Sequence, residues 1–152
     1  MSEIPEVGDK APNVVSETYG GEKIKLSDFT KKGTVLLYFY PRDNTPGCTK
    51  EACSLRDGMS DLKDLGVQVL GVSTDSVKSH EKFRDKYELN FPLISDKDKG
   101  IINTYGVTNE RGSAKRVSFL IDKKGIIRHV WTKVNTMEHA AEVLNIVKEL
   151  GL

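Results

Sequence analysis

Two apolar runs rich in β-branched and aromatic residues predict two strands that are buried on both faces. They extend from Thr34 to Tyr40 and from Val67 to Ser73. Continuous apolar runs of this length are typical of parallel strands that are covered on either side. Between the runs, four apolar residues recur at spacings of three, four and three, as on one face of a helix: Ala52, Leu55, Met59 and Leu62. The pattern therefore predicts a β-α-β unit with parallel strands.

The second half of the chain predicts a helix, a short strand and an antiparallel hairpin. The helix extends from Ser76, a favoured N-cap residue, to Tyr87, and the short strand from Leu93 to Ser95. The hairpin joins a strand from Val117 to Ile121 with one from Ile126 to Trp131. Antiparallel strands are thus expected beside the parallel unit.

The two ends of the chain complete the predicted architecture. A last helix is expected to begin near Asn135, with Glu138 at capping-box spacing. Its buried face is predicted to contain Ala140, Val143, Leu144 and Val147. The N-terminal stretch through Phe29 predicts an added hairpin around Tyr19, Gly20 and Gly21. This element order predicts the α/β class and a thioredoxin-like fold, in which helices flank a central mixed β-sheet with an N-terminal β-hairpin extension.

Length and charge narrow the expected organisation and partners. At 152 residues, the chain is expected to form one domain over residues 1–152. It has 23 Lys and Arg against 22 Asp and Glu, which argues against nucleic acid as a partner. The longest apolar run, Val35 to Tyr40, is far shorter than the ~20 residues that cross a bilayer. Because the first ten residues also lack a secretory signal pattern, we expect a cytoplasmic protein without membrane contact.

The loop from Pro41 to Cys48 carries the candidate chemistry. Thr45 is a favoured N-cap residue and Pro46 is favoured at the first helical position, so Cys48 is expected in the first turn of a helix. Amides in a first turn lack intrahelical acceptors and carry the positive end of the helix dipole, which stabilises a thiolate. Gly47 allows a small substrate to approach, and the hydroxyl of Thr45 is able either to cap the helix or to face the sulfur.

The simpler interpretation is that Cys48 is an ordinary buried thiol, because it lies four residues before Ala52 at the end of the apolar stripe. The combination of an N-cap, a helix start, an open approach and a nucleophile favours a functional cysteine.

The second cysteine, Cys53, admits two interpretations. On an intact helix it lies about 140° around the axis from Cys48, with the two Cα atoms about 8.6 Å apart. This separation exceeds the ~7 Å limit for a disulfide. Cys53 is therefore either inert or half of a switch in which oxidation unwinds the helix and reduction restores it.

The segment from Phe39 to Cys53 closely resembles the active-site segment of the Q-subfamily, or bacterioferritin-comigratory-type, peroxiredoxins. The pattern Pro-x-x-x-Thr-x-x-Cys is matched in full at Pro41, Thr45 and Cys48. Similar segments extend over nearly the whole chain: Val7 to Pro12, Leu70 to Ser73 and Arg116 to Asp122.

This resemblance implies a thiol-dependent peroxidase and a role for five residues. Cys48 would be the peroxidatic cysteine, which attacks a hydroperoxide and becomes a sulfenic acid. Cys53 would resolve it as an intramolecular disulfide that thioredoxin or a similar dithiol reduces. Thr45 and Arg116 would hydrogen-bond the peroxide oxygens and the thiolate, while Pro41 would shield the pocket. We expect no cofactor and a monomeric protein.

Other functions fit parts of the sequence. A thiol-disulfide oxidoreductase usually carries Cys-x-x-Cys at a helix start, whereas Glu51 stands three residues after Cys48. A noncatalytic binding module would merely contain two thiols. Metal binding needs three or four ligands, and the histidines show no ligand spacing to the cysteines, so no metal site is expected. The histidines are interpreted as surface residues without a role: His80, His129 and His139.

Overall fold

In the computed structural model, which describes residues 3–18 and 22–152, seven strands form one mixed sheet. The strands are β1 (Val15–Glu17), β2 (Lys23–Lys25), β3 (Thr34–Phe39), β4 (Val67–Ser73), β5 (Leu93–Ser95), β6 (Val117–Ile121) and β7 (Ile127–Trp131). The helices are α1 (Leu26–Thr30), α2 (Pro46–Asp57), α3 (Met59–Asp64), α4 (Val77–Tyr87), α5 (Gly100–Thr104) and α6 (His139–Leu150). The order of strands across the sheet is β2-β1-β5-β4-β3-β6-β7.

The pairing of the strands agrees with the sequence pattern. Strand β3 is parallel to β4, and it is antiparallel to β6 on its other side. Strands β6 and β7 form the predicted C-terminal hairpin, and β1 and β2 form the N-terminal one. The predicted turn at residues 19–21 lies outside the described residues. The α/β class, the mixed sheet and the N-terminal extension are thus confirmed.

Strand β3 is the centre of the molecule because its two faces contribute to two different cores. All six of its residues are buried. Leu36 and Tyr38 pack with apolar residues of α2, α3, α4 and α6. Val35, Leu37 and Phe39 pack on the opposite face, with apolar residues of α1 and of α5 with its flanks. Burial on both faces explains why β3 is continuously apolar rather than alternating.

The apolar stripe predicted as one helix is divided at Gly58 between α2 and α3. All four stripe residues are nevertheless buried: Ala52, Leu55, Met59 and Leu62. A Cβ atom on Gly58 would lie 2.5 Å from the Cβ of Ala140 in α6. Glycine at this position therefore allows α6 to pack closely against the junction of the two helices.

Helix α4 begins as predicted, whereas α6 begins later than predicted. The Ser76 side chain accepts a hydrogen bond from the backbone N–H of Ser79 at 3.1 Å and caps α4. Helix α6 starts at His139 rather than near Asn135, because residues 136–138 form a turn. The backbone N–H of Asn135 donates to the Glu142 side chain at 3.2 Å, so the expected capping box with Glu138 does not form.

The predicted buried face of α6 is confirmed at three positions. Ala140, Val143 and Val147 are buried, while Leu144 is half-buried and packs at the edge of the core. In the part of the chain that the structure describes, no helix combines the length and apolarity that crossing a membrane requires.

Candidate active site

Cys48 lies where the sequence places it, in the first turn of α2. The N-cap residue Thr45 is extended, with φ −98° and ψ 155°, and Pro46 begins the helix. The backbone N–H of Thr49 donates to the Thr45 carbonyl at 2.8 Å and opens the helical hydrogen-bond ladder. The Cys48 side chain is buried, with 2% of its surface exposed. The positive end of the helix therefore acts on a sulfur that is shielded from bulk water.

The Thr45 hydroxyl takes neither of the two positions considered from the sequence alone. It donates a hydrogen bond to the backbone carbonyl of Arg42 at 3.1 Å, and it makes no side-chain cap to α2. This bond closes the loop on itself just before the helix. The oxygen lone pairs of the hydroxyl remain available as acceptors.

Arg116 reaches Cys48 because strand β6 lies beside β3. Val117 pairs with Phe39, so the residue before β6 lies close to the loop that follows β3. The Nη2 atom of Arg116 donates to the Cys48 Sγ at 3.3 Å. A Cβ on Gly47 would lie 3.0 Å from Arg116 Nη2, so glycine leaves room for the guanidinium. The structure thus brings together two of the predicted site residues that are 68 positions apart in sequence.

Glu51 is a site residue that the sequence reasoning missed. Its carboxylate is fully buried, and Oε1 accepts a hydrogen bond from Arg116 Nη1 at 2.7 Å. Among the described residues, Oε2 has no hydrogen-bond partner. Burial raises the pKa of Glu51 to about 7, although the charge of Arg116 opposes the shift. The sequence did contain a signal for the burial of Glu51: this residue directly precedes Ala52 of the apolar stripe and lies one helical turn after Cys48.

The guanidinium of Arg116 is held between two acidic groups. Burial disfavours its charged form, but the neighbouring Cys48 and Glu51 more than compensate and raise the pKa of Arg116. Its two nitrogens therefore act as a fixed positive fork, one directed at the carboxylate and the other at the sulfur.

The prediction that the histidines are surface residues is wrong for His80 and His139, which are both fully buried. His139 is the first residue of α6. Its Nδ1 lies 2.9 Å from Glu142 Oε1, and its Nε2 lies 2.8 Å from Ser118 Oγ and 3.8 Å from Glu51 Oε2. Burial lowers the pKa of His139, while Glu142 opposes the shift. The third histidine, His129, is half-exposed on β7 beside Trp131.

His80 belongs to a second buried network, which anchors the loop before α2. Its Nδ1 lies 2.7 Å from Asp43 Oδ2 and its Nε2 lies 3.1 Å from the Ile94 carbonyl. Tyr40 donates to Asp43 Oδ1 at 2.6 Å, and Ser79 donates to Asp43 Oδ2 at 2.8 Å. The phenol of Tyr40 stays neutral because burial raises its pKa well above the ordinary value.

The same network contains a group of metal-ligand type that the sequence spacing did not reveal. Ligand atoms of Asp43, Asp75 and His80 lie within 4.8 Å of one another. Asp75 Oδ2 already accepts from the Asp43 backbone N–H at 2.8 Å and from Ser73 Oγ at 2.6 Å. We therefore interpret the group as a hydrogen-bonded anchor for the loop.

The remaining predicted residues are Pro41 and Thr45 on the loop before α2 and Cys53 on α2 itself. A cleft of about 800 Å³ runs beside the loop and is lined by Pro41 and Thr45 together with Arg42, Thr74, Asp75, Lys99 and residues 109–113. Cys53 is half-buried on α2, and both cysteines are free thiols. Because α2 is continuous from Pro46 to Asp57, the helical geometry that separates the two thiols applies to this structure.

The C-terminal half of α2 is tied to its neighbours. Arg56 Nη1 donates to the Tyr87 carbonyl at 2.6 Å, and the Asn90 side chain donates to the Arg56 carbonyl at 3.2 Å. Ser54 Oγ accepts from the backbone N–H of Ala140 at 3.2 Å. Any movement of Cys53 toward Cys48 must therefore release at least part of this half or unwind the turn between the two thiols.

Comparison with known proteins places this geometry in a family. Residues 7–130 match the AhpC/TSA family. The chain is 49% identical over 146 residues to a putative peroxiredoxin bcp of Coxiella burnetii, covering 91% of this chain and 96% of the relative. It is 43% identical over 151 residues to peroxiredoxin Bcp of Escherichia coli K12, covering 95% and 96%. A crystal structure of a Xylella fastidiosa PrxQ mutant matches with a TM-score of 0.91 and 34% identity over 100% of both chains. The family resemblance and the thioredoxin-like fold are confirmed.

Proposed function

The chain belongs to the AhpC/TSA family and is a peroxiredoxin of the Bcp or Q type, and on that basis we propose that it reduces hydroperoxides with Cys48 as the peroxidatic thiol. The observation that carries the proposal is the 3.3 Å contact between Arg116 Nη2 and the Cys48 sulfur in the first turn of α2. A fixed cation and a helix N-terminus directed at one buried sulfur favour an ionised nucleophile.

The proposed first step is an attack of the Cys48 thiolate on the terminal oxygen of a hydroperoxide. A sulfur–oxygen bond forms, the oxygen–oxygen bond breaks, and the departing oxygen takes up a proton and leaves as water or an alcohol. The sulfur is oxidised to a sulfenic acid and the peroxide is reduced. Negative charge spreads over the sulfur and both oxygens, so donors already fixed in place stabilise the transition state preferentially.

Arg116 and Thr45 are the side chains proposed to act on the reacting oxygens. The guanidinium of Arg116 is held by Glu51 and needs no reorganisation. Thr45 and Pro41 line the cleft beside the loop, which supports a path for the peroxide along this surface. Removing a fixed donor such as the guanidinium of Arg116 typically lowers the rate by about 10²- to 10³-fold.

The proposed second step regenerates the thiol through Cys53. The Cys53 thiolate attacks the sulfenic sulfur, the sulfur–oxygen bond breaks, and an intramolecular disulfide forms while the departing oxygen takes up a proton and leaves as water. A dithiol such as thioredoxin then reduces this disulfide by exchange. The half-buried position of Cys53 supports access for a reductant, while the continuous α2 means that the helix must unwind locally first. One sheet covered on both faces supports assigning residues 1–152 to one domain.

The matched variants Cys48→Ser and Cys53→Ser test both steps. We expect Cys48→Ser to consume neither hydrogen peroxide nor an organic hydroperoxide. Cys53→Ser should keep a single stoichiometric turnover but lose continuous turnover with thioredoxin, its reductase and NADPH, because only recycling needs the second thiol. Peroxide consumption is followed directly, and NADPH oxidation is followed at 340 nm.

Results opposite to these identify which part of the proposed function is wrong. Peroxide consumption that survives in Cys48→Ser would exclude the peroxidatic role. Unchanged steady-state turnover of Cys53→Ser would exclude the resolving role. A wild-type protein that reduces insulin disulfides but leaves peroxide untouched would instead be a thiol-disulfide oxidoreductase.

A further inference from the structure

His139 occupies the far side of the Glu51 carboxylate from Arg116. Glu51 Oε1 binds Arg116, whereas Oε2 is 3.8 Å from His139 Nε2. Both side chains are completely buried. Within the described residues, no hydrogen bond is found for Oε2. A buried carboxylate oxygen without a partner is rare and points to a functional constraint at this position.

The imidazole itself is fixed on three sides. Nδ1 lies 2.9 Å from Glu142 Oε1 on α6, and Nε2 lies 2.8 Å from Ser118 Oγ on β6. The ring of Trp131 on β7 meets it edge to face, with centroids 5.4 Å apart. The charged groups around His139 are therefore Glu51 from α2, Glu142 from α6 and, behind Glu51, Arg116.

We propose that His139 is a positioning residue for peroxide reduction, which supports Glu51 from behind and thereby fixes the guanidinium of Arg116 against the Cys48 sulfur. The chain of contacts runs from His139 to Glu51, from Glu51 Oε1 to Arg116 Nη1, and from Arg116 Nη2 to Cys48 Sγ. Its catalytic consequence rests on the proposed function. Its effect on the Cys48 thiol does not, because the contacts exist without a substrate.

The directions of the pKa shifts of Glu51 and His139 are consistent with this arrangement. Burial raises the pKa of Glu51 to about 7 and lowers that of His139, so burial disfavours the charged form of both groups. With Nδ1–H donated to Glu142, the Nε2 lone pair faces both Ser118 and Glu51 Oε2. Oε1 remains the acceptor for Arg116, so His139 acts on the guanidinium by holding the carboxyl group in place.

Three substitutions separate this role from simple packing. His139→Leu removes both nitrogens. His139→Gln places an amide where Nε2 lies, whereas His139→Asn places one where Nδ1 lies. Val147→Ala is the matched control, because Val147 is buried on the same helix and belongs to the same core but is not among the contacts that reach Glu51.

The readouts are the titration of the Cys48 thiolate, followed by its absorbance near 240 nm in a Cys53→Ser background, and the single-turnover rate with hydrogen peroxide. We expect His139→Leu to move the titration midpoint up by about one pH unit and to lower the rate about tenfold. His139→Gln should restore most of the wild-type midpoint and rate, whereas His139→Asn should restore little of either. Val147→Ala should leave both values unchanged despite a lower stability.

The result that overturns the proposal is a titration midpoint that coincides in His139→Leu and the wild type, or that moves equally in Val147→Ala. The titration needs no peroxide, so it distinguishes a failure of the positioning role from a failure of the proposed function. If the wild type does not react with peroxide but the titration separates His139→Leu from Val147→Ala, the proposed function fails and the positioning role stands. If peroxide is consumed and the titrations coincide, only the positioning role fails.

Discussion

Two buried histidine–carboxylate pairs flank the segment that carries Cys48, with His80 on α4 and His139 on α6, and they differ in how completely they are hydrogen-bonded. In the first, both nitrogens of His80 and both carboxylate oxygens of Asp43 have partners. In the second, His139 faces Glu51 Oε2, which has none among the described residues. A fully hydrogen-bonded network makes a rigid support. A buried carboxylate oxygen without a hydrogen bond is instead sensitive to the charges of its neighbours. We therefore assign the first pair to the scaffold and the second to the reactive centre.

The largest expected effect is on stability, from breaking the complete pair. His80→Leu leaves Asp43 buried with one donor fewer, so we expect the free energy of unfolding to fall by about 3 kcal/mol. The Cys48 titration should barely move, because Tyr40 and Ser79 still hold Asp43. Urea unfolding and thiolate absorbance measure the two quantities.

The graded control for this prediction is His80→Asn, whose amide lies near the position of Nδ1 and preserves a donor to Asp43. It should recover part of the lost stability. A His80→Leu protein with native stability, or one whose thiol titration shifts as far as that of His139→Leu, would contradict the division of the two pairs into scaffold and reactive centre.

The second effect concerns the pH dependence of the incomplete pair. The pKa of Glu51 is about 7 when folded against an ordinary 4.5, so between these values the unfolded chain releases a proton that the folded protein keeps. Stability should therefore fall as pH rises from 4.5 to 7, by about 3 kcal/mol, and level off above. Glu51→Gln cannot ionise and should lack this decline.

Urea unfolding of the wild type and Glu51→Gln from pH 4.5 to 8 checks the sign. His139 titrates in both proteins, so its contribution largely cancels from the difference. Parallel stability curves over this range would show that Glu51 ionises in the folded protein at its ordinary pKa, and that burial does not control its charge.

The smallest effect comes from the cap of the helix that carries His80. Ser76 accepts from the Ser79 backbone N–H, so Ser76→Ala should lower stability by about 1 kcal/mol. Ser76→Asp retains an acceptor and should stay near the wild type. The rate with peroxide should be unchanged in both variants. A loss in Ser76→Ala that equals the His80→Leu loss would mean that the cap, rather than the buried network, anchors α4.

The local pattern was sufficient for most of the fold. Strands β3 and β4, the cap at Ser76 and the start of α2 depend on near neighbours in sequence, and each lies within a residue of its prediction. The predicted start of α6 was wrong because the backbone N–H of Asn135 donates to the side chain of Glu142. The predicted capping box assigned that bond to Glu138. Competing caps of equal chemistry are not distinguished by spacing alone.

The buried polar residues were missed for a different reason. His80 and His139 are polar positions on helices, which sequence patterns assign to the surface. Their burial depends on partners far along the chain, at Asp43 for one and at Ser118 and Glu51 for the other. Spacing along one helix carries no signal for such partners.

The sequence by itself determined that Cys48 lies in a first helical turn, because Thr45, Pro46 and Cys48 act through the local geometry of a helix start. Only the tertiary structure decided what surrounds the sulfur. Arg116 comes beside Cys48 through the pairing of β6 with β3, and His139 reaches Glu51 through the packing of α6. The physical reason is range: dipoles and caps act within one turn of the chain, whereas burial and charge contacts depend on segments that meet only in the folded protein.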